Sequence, residues 1–216
     1  MILEEKNALE IDKIIKNKVR DFRISTTHIN EILHDARLII PHYYKDKYIL
    51  EEISEEGKNE YFAGYESNFI NIDNKNIWVI GAINTYSKKL RLELLFIRDS
   101  NTLKKFIYTH IKPGNCIVSD LWDGYMWLGI DGIYHHSVRK FGHSDFGYGY
   151  ESTSHIESVC GNLKNIIKRI YYPIPNNIFV LLLKEAEFRR EISGFANNIK
   201  WQNFVDIMNY ISNIDI

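Results

Sequence analysis

Ile117-Val118-Ser119-Asp120-Leu121-Trp122, continued by Gly124-Tyr125 and later by His155-Ile156-Glu157-Ser158 and Lys164, decides the fold of this chain. Val118 closes a short apolar run that reads as a buried strand, which puts Asp120 at the strand's carboxyl end. In open α/β sheets that end is where ligands and chemistry gather. Glu157 opens a second segment, Ile156–Ile170, in which Ile156, Val159, Leu163, Ile166, Ile167 and Ile170 recur at helical spacing. An acid at a strand end and an acid in the first turn of a helix packed on that strand can meet. Two carboxylates that converge repel each other, and a divalent cation between them removes the repulsion. The bland alternatives are a helix-capping Asp120 and a Glu157 favoured by the helix dipole alone.

The composition bounds the answer. The chain has 216 residues, 45% hydrophobic and 25% charged, which suits one ordinary domain with a smaller appendage and excludes a disordered chain. Cys116 and Cys160 cannot supply a disulfide framework or a four-cysteine zinc site, so a reducing, intracellular compartment is expected: nuclear in a eukaryote, cytoplasmic otherwise. The longest apolar run near the C-terminus, Ile178–Leu183, is too short to span a bilayer, and no secretory leader opens the sequence. A net charge of −1 argues against a protein that coats nucleic acid over its whole surface, but leaves room for a local basic groove.

Outward from the central stretch, the pattern predicts a sheet and its helices. Residues 1–22 carry Leu9, Ile11, Ile14, Ile15 and Val19 on one stripe. Thr27–Ile40 repeats the pattern after an N-cap at Ser25 or Thr26, and Pro41 ends it. These two helices read as a helix-turn-helix or as a plain helical prefix. The acidic stretch Glu51–Glu60 marks a boundary, giving a helical N-terminal segment, 1–58, and a main domain, 59–216. Tyr61–Phe69, Ile77–Ile83 and Leu90–Ile97 read as antiparallel strands, with Asn71–Asn76 and Ser87-Lys88-Lys89 as turns. A helix over Asn101–Ile111, capped by Asp99-Ser100, leads through Pro113-Gly114 to the strand Cys116–Ser119. A short helix over Leu121–Leu128, a strand over Gly132–Val138, an aperiodic loop over Arg139–Ser152, and helices over Ile156–Ile170, Asn176–Arg190 and Lys200–Ile211 complete the order. The fold class is therefore α/β, a mixed sheet flanked by helices with a small helical N-terminal segment; mixed sheets of this sort include the ribonuclease H-like architecture.

The motifs Ile111-Lys-Pro-Gly114, Ile117-Val-Ser-Asp120-Leu-Trp122-Asp-Gly-Tyr125, His135–Val138, His143-Ser144-x-Phe146, Thr153-Ser-His-Ile-Glu157-Ser158 and Glu185-Ala-Glu187-Phe188-Arg189-Arg190 stand in one family's order and spacing. From about Gly64 to Ser193 the chain resembles the transposase domain of the ISXO-two-like insertion-sequence group, DDE-type enzymes of mobile elements. The resemblance implies magnesium-dependent cutting and joining of double-stranded DNA, in which two metal ions activate water and then a DNA 3′ hydroxyl for in-line attack. It leaves a homo-oligomer open and gives no membrane partner.

Carried over residue by residue, the resemblance makes Asp120 and Glu157 the catalytic, metal-binding carboxylates. Lys164, two turns beyond Glu157 on one helix face, becomes a phosphate contact, with Arg139, Lys140 and His143 as further DNA contacts. The departures are as informative. The family's first Asp falls on Tyr65, within Tyr65-Glu66-Ser67-Asn68-Phe69. A phenol with pKa about 10 is neutral near pH 7 and is a poor magnesium ligand. Glu66 points to the other face of the strand, which leaves Asp73, beside the first turn, as the substitute catalytic acid. Cys160 stands where the family often has tryptophan, Ser154 where it has an amide or acid, and no cysteines remain for its zinc ribbon. Catalysis is therefore in doubt, and the alternative is a silent, domesticated protein that binds DNA or a partner. His135, His136 and His143 lack a fitting ligand set. Trp78 and Trp122 read as core aromatics, and Arg189 or Arg190 as a partner for Glu157 or Glu187.

Overall fold

Runs of β-branched and aromatic residues become the strands of one mixed sheet: β1 (Tyr61–Ile72), β2 (Lys75–Asn84), β3 (Leu90–Leu95), β4 (Cys116–Ser119) and β5 (His135–Val138). These come from a computed structural model that describes residues 8–18, 24–47, 61–72, 75–138, 153–171 and 176–192, with 202 and 206. The strand order is β3-β2-β1-β4-β5. β1–β2 and β2–β3 pair antiparallel, whereas β4 joins β1 and β5 joins β4 in parallel. Three antiparallel strands followed by two parallel ones in this order are the ribonuclease H arrangement that the sequence predicts.

Two faces follow from the alternation of side chains along each strand. On one, Ile80, Ala82 and Ile117 pack with Leu103, Phe106 and Ile107 of a helix, α3 (Ser100–His110), in a single buried cluster. Asp99 caps α3, accepting the Thr102 amide at 2.8 Å. That bond holds the Asp99 carboxyl below its ordinary pKa. The other face takes Val79 and Val118, both fully buried, and is met at Gly81 by Ile156 of α4 (Ser154–Tyr171).

The chain divides into two compact units, Ile49–Asn165 around the sheet and Met1–Tyr48 with Ile166–Ile216. In the second unit α1 (Ala8–Lys18) and α2 (Thr26–Lys47) contribute buried Ile11, Ile29 and Leu33. Packed with α2, α5 (Asn176–Ile192) contributes Phe179, Leu182, Leu183 and Phe188. Glu185 of α5 is buried between two guanidinium groups, 2.7 Å from Arg37 Nε and 2.6 Å from Arg189 Nη2. Ser25 is the N-cap of α2, its hydroxyl accepting the His28 amide at 3.1 Å. Among the described residues no helix is long and apolar enough to cross a membrane.

Several boundaries differ from the sequence reading: β1 and β2 extend to Ile72 and from Lys75, into the expected turn, and three others have a local cause. Pro41 does not end α2, which runs on to Lys47; proline removes one hydrogen bond from a helix interior, and a helix of 22 residues keeps the others. The segment after Asp120 is a 3-10 helix over Asp123–Gly129, because Trp122 stays extended at φ −67° and ψ 132°. Likewise β5 starts only at His135: Asp131 accepts the Ile133 amide at 2.9 Å, and Gly132 turns at φ +69°.

Candidate active site

The parallel pairing of β1 with β4 runs Tyr61↔Cys116, Phe62↔Ile117 and Ala63↔Val118. Carried two residues further, the same register brings position 65 level with Asp120. On its other side position 65 pairs with Gly81 of β2. Extended in this way, the register puts Gly81, position 65 and Asp120 in one row across β2, β1 and the residue just beyond β4, at ~4.8 Å per strand. Asp120 lies two residues beyond Val118, on the face away from α3.

α4 reaches the same row. A Cβ on Gly81 would lie 3.2 Å from Ile156 Cδ1, so the helix begins directly over β2, and Glu157 is its next residue. The entry is fixed twice. Thr153 accepts the Glu157 amide on its carbonyl at 3.1 Å, and its hydroxyl donates to Glu157 Oε1 at 2.6 Å. His155 Nε2 lies 3.3 Å from Lys88 Nζ in the β2–β3 turn.

Asp120 is half-buried, and its Oδ1 accepts the Trp122 amide at 3.0 Å. That turn leaves the carboxylate further lone pairs for a ligand. Next to it, Ser119 Oγ donates to the Asp120 carbonyl at 3.0 Å and lies 2.8 Å from His136 Nε2. Burial holds the His136 pKa below its ordinary 6.5.

Glu157, Cys160 and Lys164 share one stripe of α4. Burial pushes the Cys160 thiol up to about 12; the Lys164 charge pulls it down and Glu157 adds to the rise. Both charges stand about one turn from the thiol, Glu157 three residues before it and Lys164 four after. Cys160 is 1% exposed and packs as a small apolar core residue.

The remaining expectations divide. Asp73, Arg139, Lys140 and His143 lie outside the described residues. Arg189 pairs with Glu185, and Lys184 with Glu187 at 3.0 Å; the i, i+3 and i, i+4 spacings on α5 put these partners within reach of one another. Trp78 and Trp122 do pack against the core, and they also hold the Arg98 guanidinium, at 4.4 Å and 4.3 Å from the two rings. Nothing in the sequence pattern marked Arg98, since it follows the exposed Phe96-Ile97 after β3. Thr153, the partner of Glu157, could have been found as the N-cap threonine of α4.

The donor set can be set against what two magnesium ions need. Hard cations take anionic oxygens, and a two-ion site shares several carboxylates between the ions. Position 65 is a tyrosine, leaving Asp120 and Glu157. Among the described residues no group of three or more His, Cys, Asp or Glu side chains gathers into a metal site. This set does not fit two ions.

The ribonuclease H-like sheet thus carries an acid just beyond β4 and another in the first turn of α4. Residues 46–191 match the model of the ISXO2-like transposase domain, and the chain belongs to that family. A comparison with curated proteins finds no match. Among solved structures, the HTLV-2 integrase catalytic core in complex with magnesium, in its dimeric form, is 13% identical, with TM-score 0.44 over 60% of this chain and 84% of that one. The BIV integrase catalytic core is 9% identical, with TM-score 0.42 over 72% and 100%. The simian T-cell lymphotropic virus intasome in complex with PP2A regulatory subunit B56 gamma gives 15% identity and TM-score 0.42 over 61% of this chain; the chain spans 48% of that one's length.

Proposed function

We propose that this chain is a transposase-family protein that binds double-stranded DNA and has lost the two-metal cutting and joining chemistry at position 65. The row Gly81–position 65–Asp120 carries the reading. It supports the placement of the family's first acid on the residue that is here Tyr65, beside the second acid at Asp120. Asp120 and Glu157 remain as a pair of carboxylates able to take a single divalent ion. When bound, such an ion supplies a positive charge at which one phosphate oxygen can be held. The chain's own residues do the rest. Thr153 orients the Glu157 carboxylate, the Trp122 amide orients that of Asp120, and Lys164 on the same stripe of α4 supplies a cation for a DNA phosphate. Arg139, Lys140 and His143 extend that contact in the proposal, and a homo-oligomer is the form in which the protein would engage DNA.

The test is a paired assay on one duplex substrate. The account expects binding that weakens steeply with salt and no magnesium-dependent nicking. Nicking by the wild-type chain that Asp120→Ala abolishes would show an active enzyme instead.

A further inference from the structure

We propose that Arg98 is a positioning residue: its guanidinium, held between the indoles of Trp78 and Trp122, fixes the turn that orients the Asp120 carboxylate. The inference rests on the reading of Asp120 as a metal-binding acid. Its structural half stands on geometry alone. Asp120 Oδ1 accepts the Trp122 amide at 3.0 Å, so where Trp122 sits decides how the carboxylate is turned. The Trp122 ring is held from several sides. Arg98 Cζ lies 4.3 Å from its centroid, Tyr125 meets it edge-on at 5.8 Å and 87°, and the Gly124 backbone runs against it. A Cβ on Gly124 would come within 2.1 Å of Trp122 Cζ3, so only glycine permits this fold-back.

The other half of the clamp is anchored in the sheet. Arg98 Cζ is 4.4 Å from the Trp78 ring, and Trp78 is a β2 residue paired with Leu95 of β3. Asp99, the next residue, is fixed as the cap of α3. The guanidinium therefore ties a loop residue beyond β4 to the strand two places away in the sheet. Arginine suits the position because its planar, weakly hydrated cation can present a face to each of two rings, which an ammonium cannot. Arg98 is itself exposed, so the contact lies at the surface of the molecule. Two rings from different elements, one of them belonging to the residue whose amide holds Asp120, make a clamp.

The experiment uses the full chain and three variants: Arg98→Leu, Arg98→Lys and Asp120→Asn. Amide exchange at Trp122, measured without metal, should quicken about two- to fivefold in Arg98→Leu and less in Arg98→Lys, as expected for losing one cation–π contact at an exposed arginine. Exchange at Ile117 and Val118 should stay as in the wild type, showing an intact sheet. In Mn²⁺ titrations followed by water-proton relaxation, Arg98→Leu should weaken binding several-fold, Arg98→Lys should recover part of it, and Asp120→Asn should abolish it. Unchanged Trp122 exchange in Arg98→Leu would overturn the clamp. Faster exchange with unchanged Mn²⁺ affinity, while Asp120→Asn still loses the ion, would reduce Arg98 to a structural residue and overturn the positioning role. If Asp120→Asn bound Mn²⁺ like the wild type, the metal reading of the site would fall, and the Trp122 exchange would still decide the clamp. Should Arg98→Leu fail to fold, Trp78→Phe, which keeps a weaker ring, gives the same readouts with smaller changes.

Discussion

Gly81→Ala tests the contact that brings α4, and with it Glu157, over the sheet. A Cβ at position 81 would lie 2.8 Å from Leu92 Cδ2, 3.2 Å from Ile156 Cδ1 and 3.4 Å from the Arg91 carbonyl. Leu92 and Ile156 are both fully buried, so neither has free space to turn into. Overpacking a filled core by one methyl costs about 1–3 kcal/mol. Replacing glycine in a strand interior returns roughly 0.5–1 kcal/mol through the lower entropy of the unfolded chain. The net is a loss of about 1–2 kcal/mol, or roughly 2–8 °C in melting temperature for a chain of this size. Ile156→Val removes the Cδ1 atom that the new methyl meets. In a double-mutant cycle measured by urea unfolding, Gly81→Ala should therefore cost less in the Ile156→Val background, with a coupling of about 0.5–1.5 kcal/mol. A stabilising Gly81→Ala, or additivity within about 0.3 kcal/mol, would refute the contact between α4 and β2.

Two further predictions concern charge. Glu185→Gln leaves Arg37 and Arg189, 8% and 16% exposed, without their shared carboxylate; the expected loss is about 3 kcal/mol, and an unchanged melting temperature would contradict it. His136 has its folded-state pKa held below 6.5 by burial, so the unfolded chain binds more protons in the window just under pH 6.5. Its contribution to stability is then present above pH 6.5 and fades as pH falls toward the folded-state value. His136→Gln should lose less stability than the wild type between pH 7.5 and 5.5, and parallel pH profiles for the two would contradict this.

The sheet was legible because β2, β3 and β4 carry apolar runs bounded by turn residues. The strand Cys116–Ser119 was read with the limits it has in the structure, and β3 ends two residues before its predicted limit, where Phe96 and Ile97 turn out to solvent. Two of the misread boundaries sit where side chain-to-backbone bonds override periodicity. Asp120 and Asp131 each capture an amide two residues on and delay the next element, and such bonds are not visible in a hydrophobic pattern. Asp120 and Glu157 could be singled out from motif spacing. That position 65 stands level with Asp120 depends on strand register, which spacing alone does not set. Arg98 was invisible for a similar reason: its partners come from β2 and from beyond β4, and no local pattern links them.

The central claim is that a tyrosine now occupies the place of a metal-binding acid beside Asp120. Calorimetric magnesium titration of Tyr65→Asp against the wild type tests it most directly. The account predicts a clear gain in magnesium affinity in Tyr65→Asp that is lost again in Tyr65→Asp with Asp120→Asn. Equal affinities in Tyr65→Asp and the wild type would contradict it.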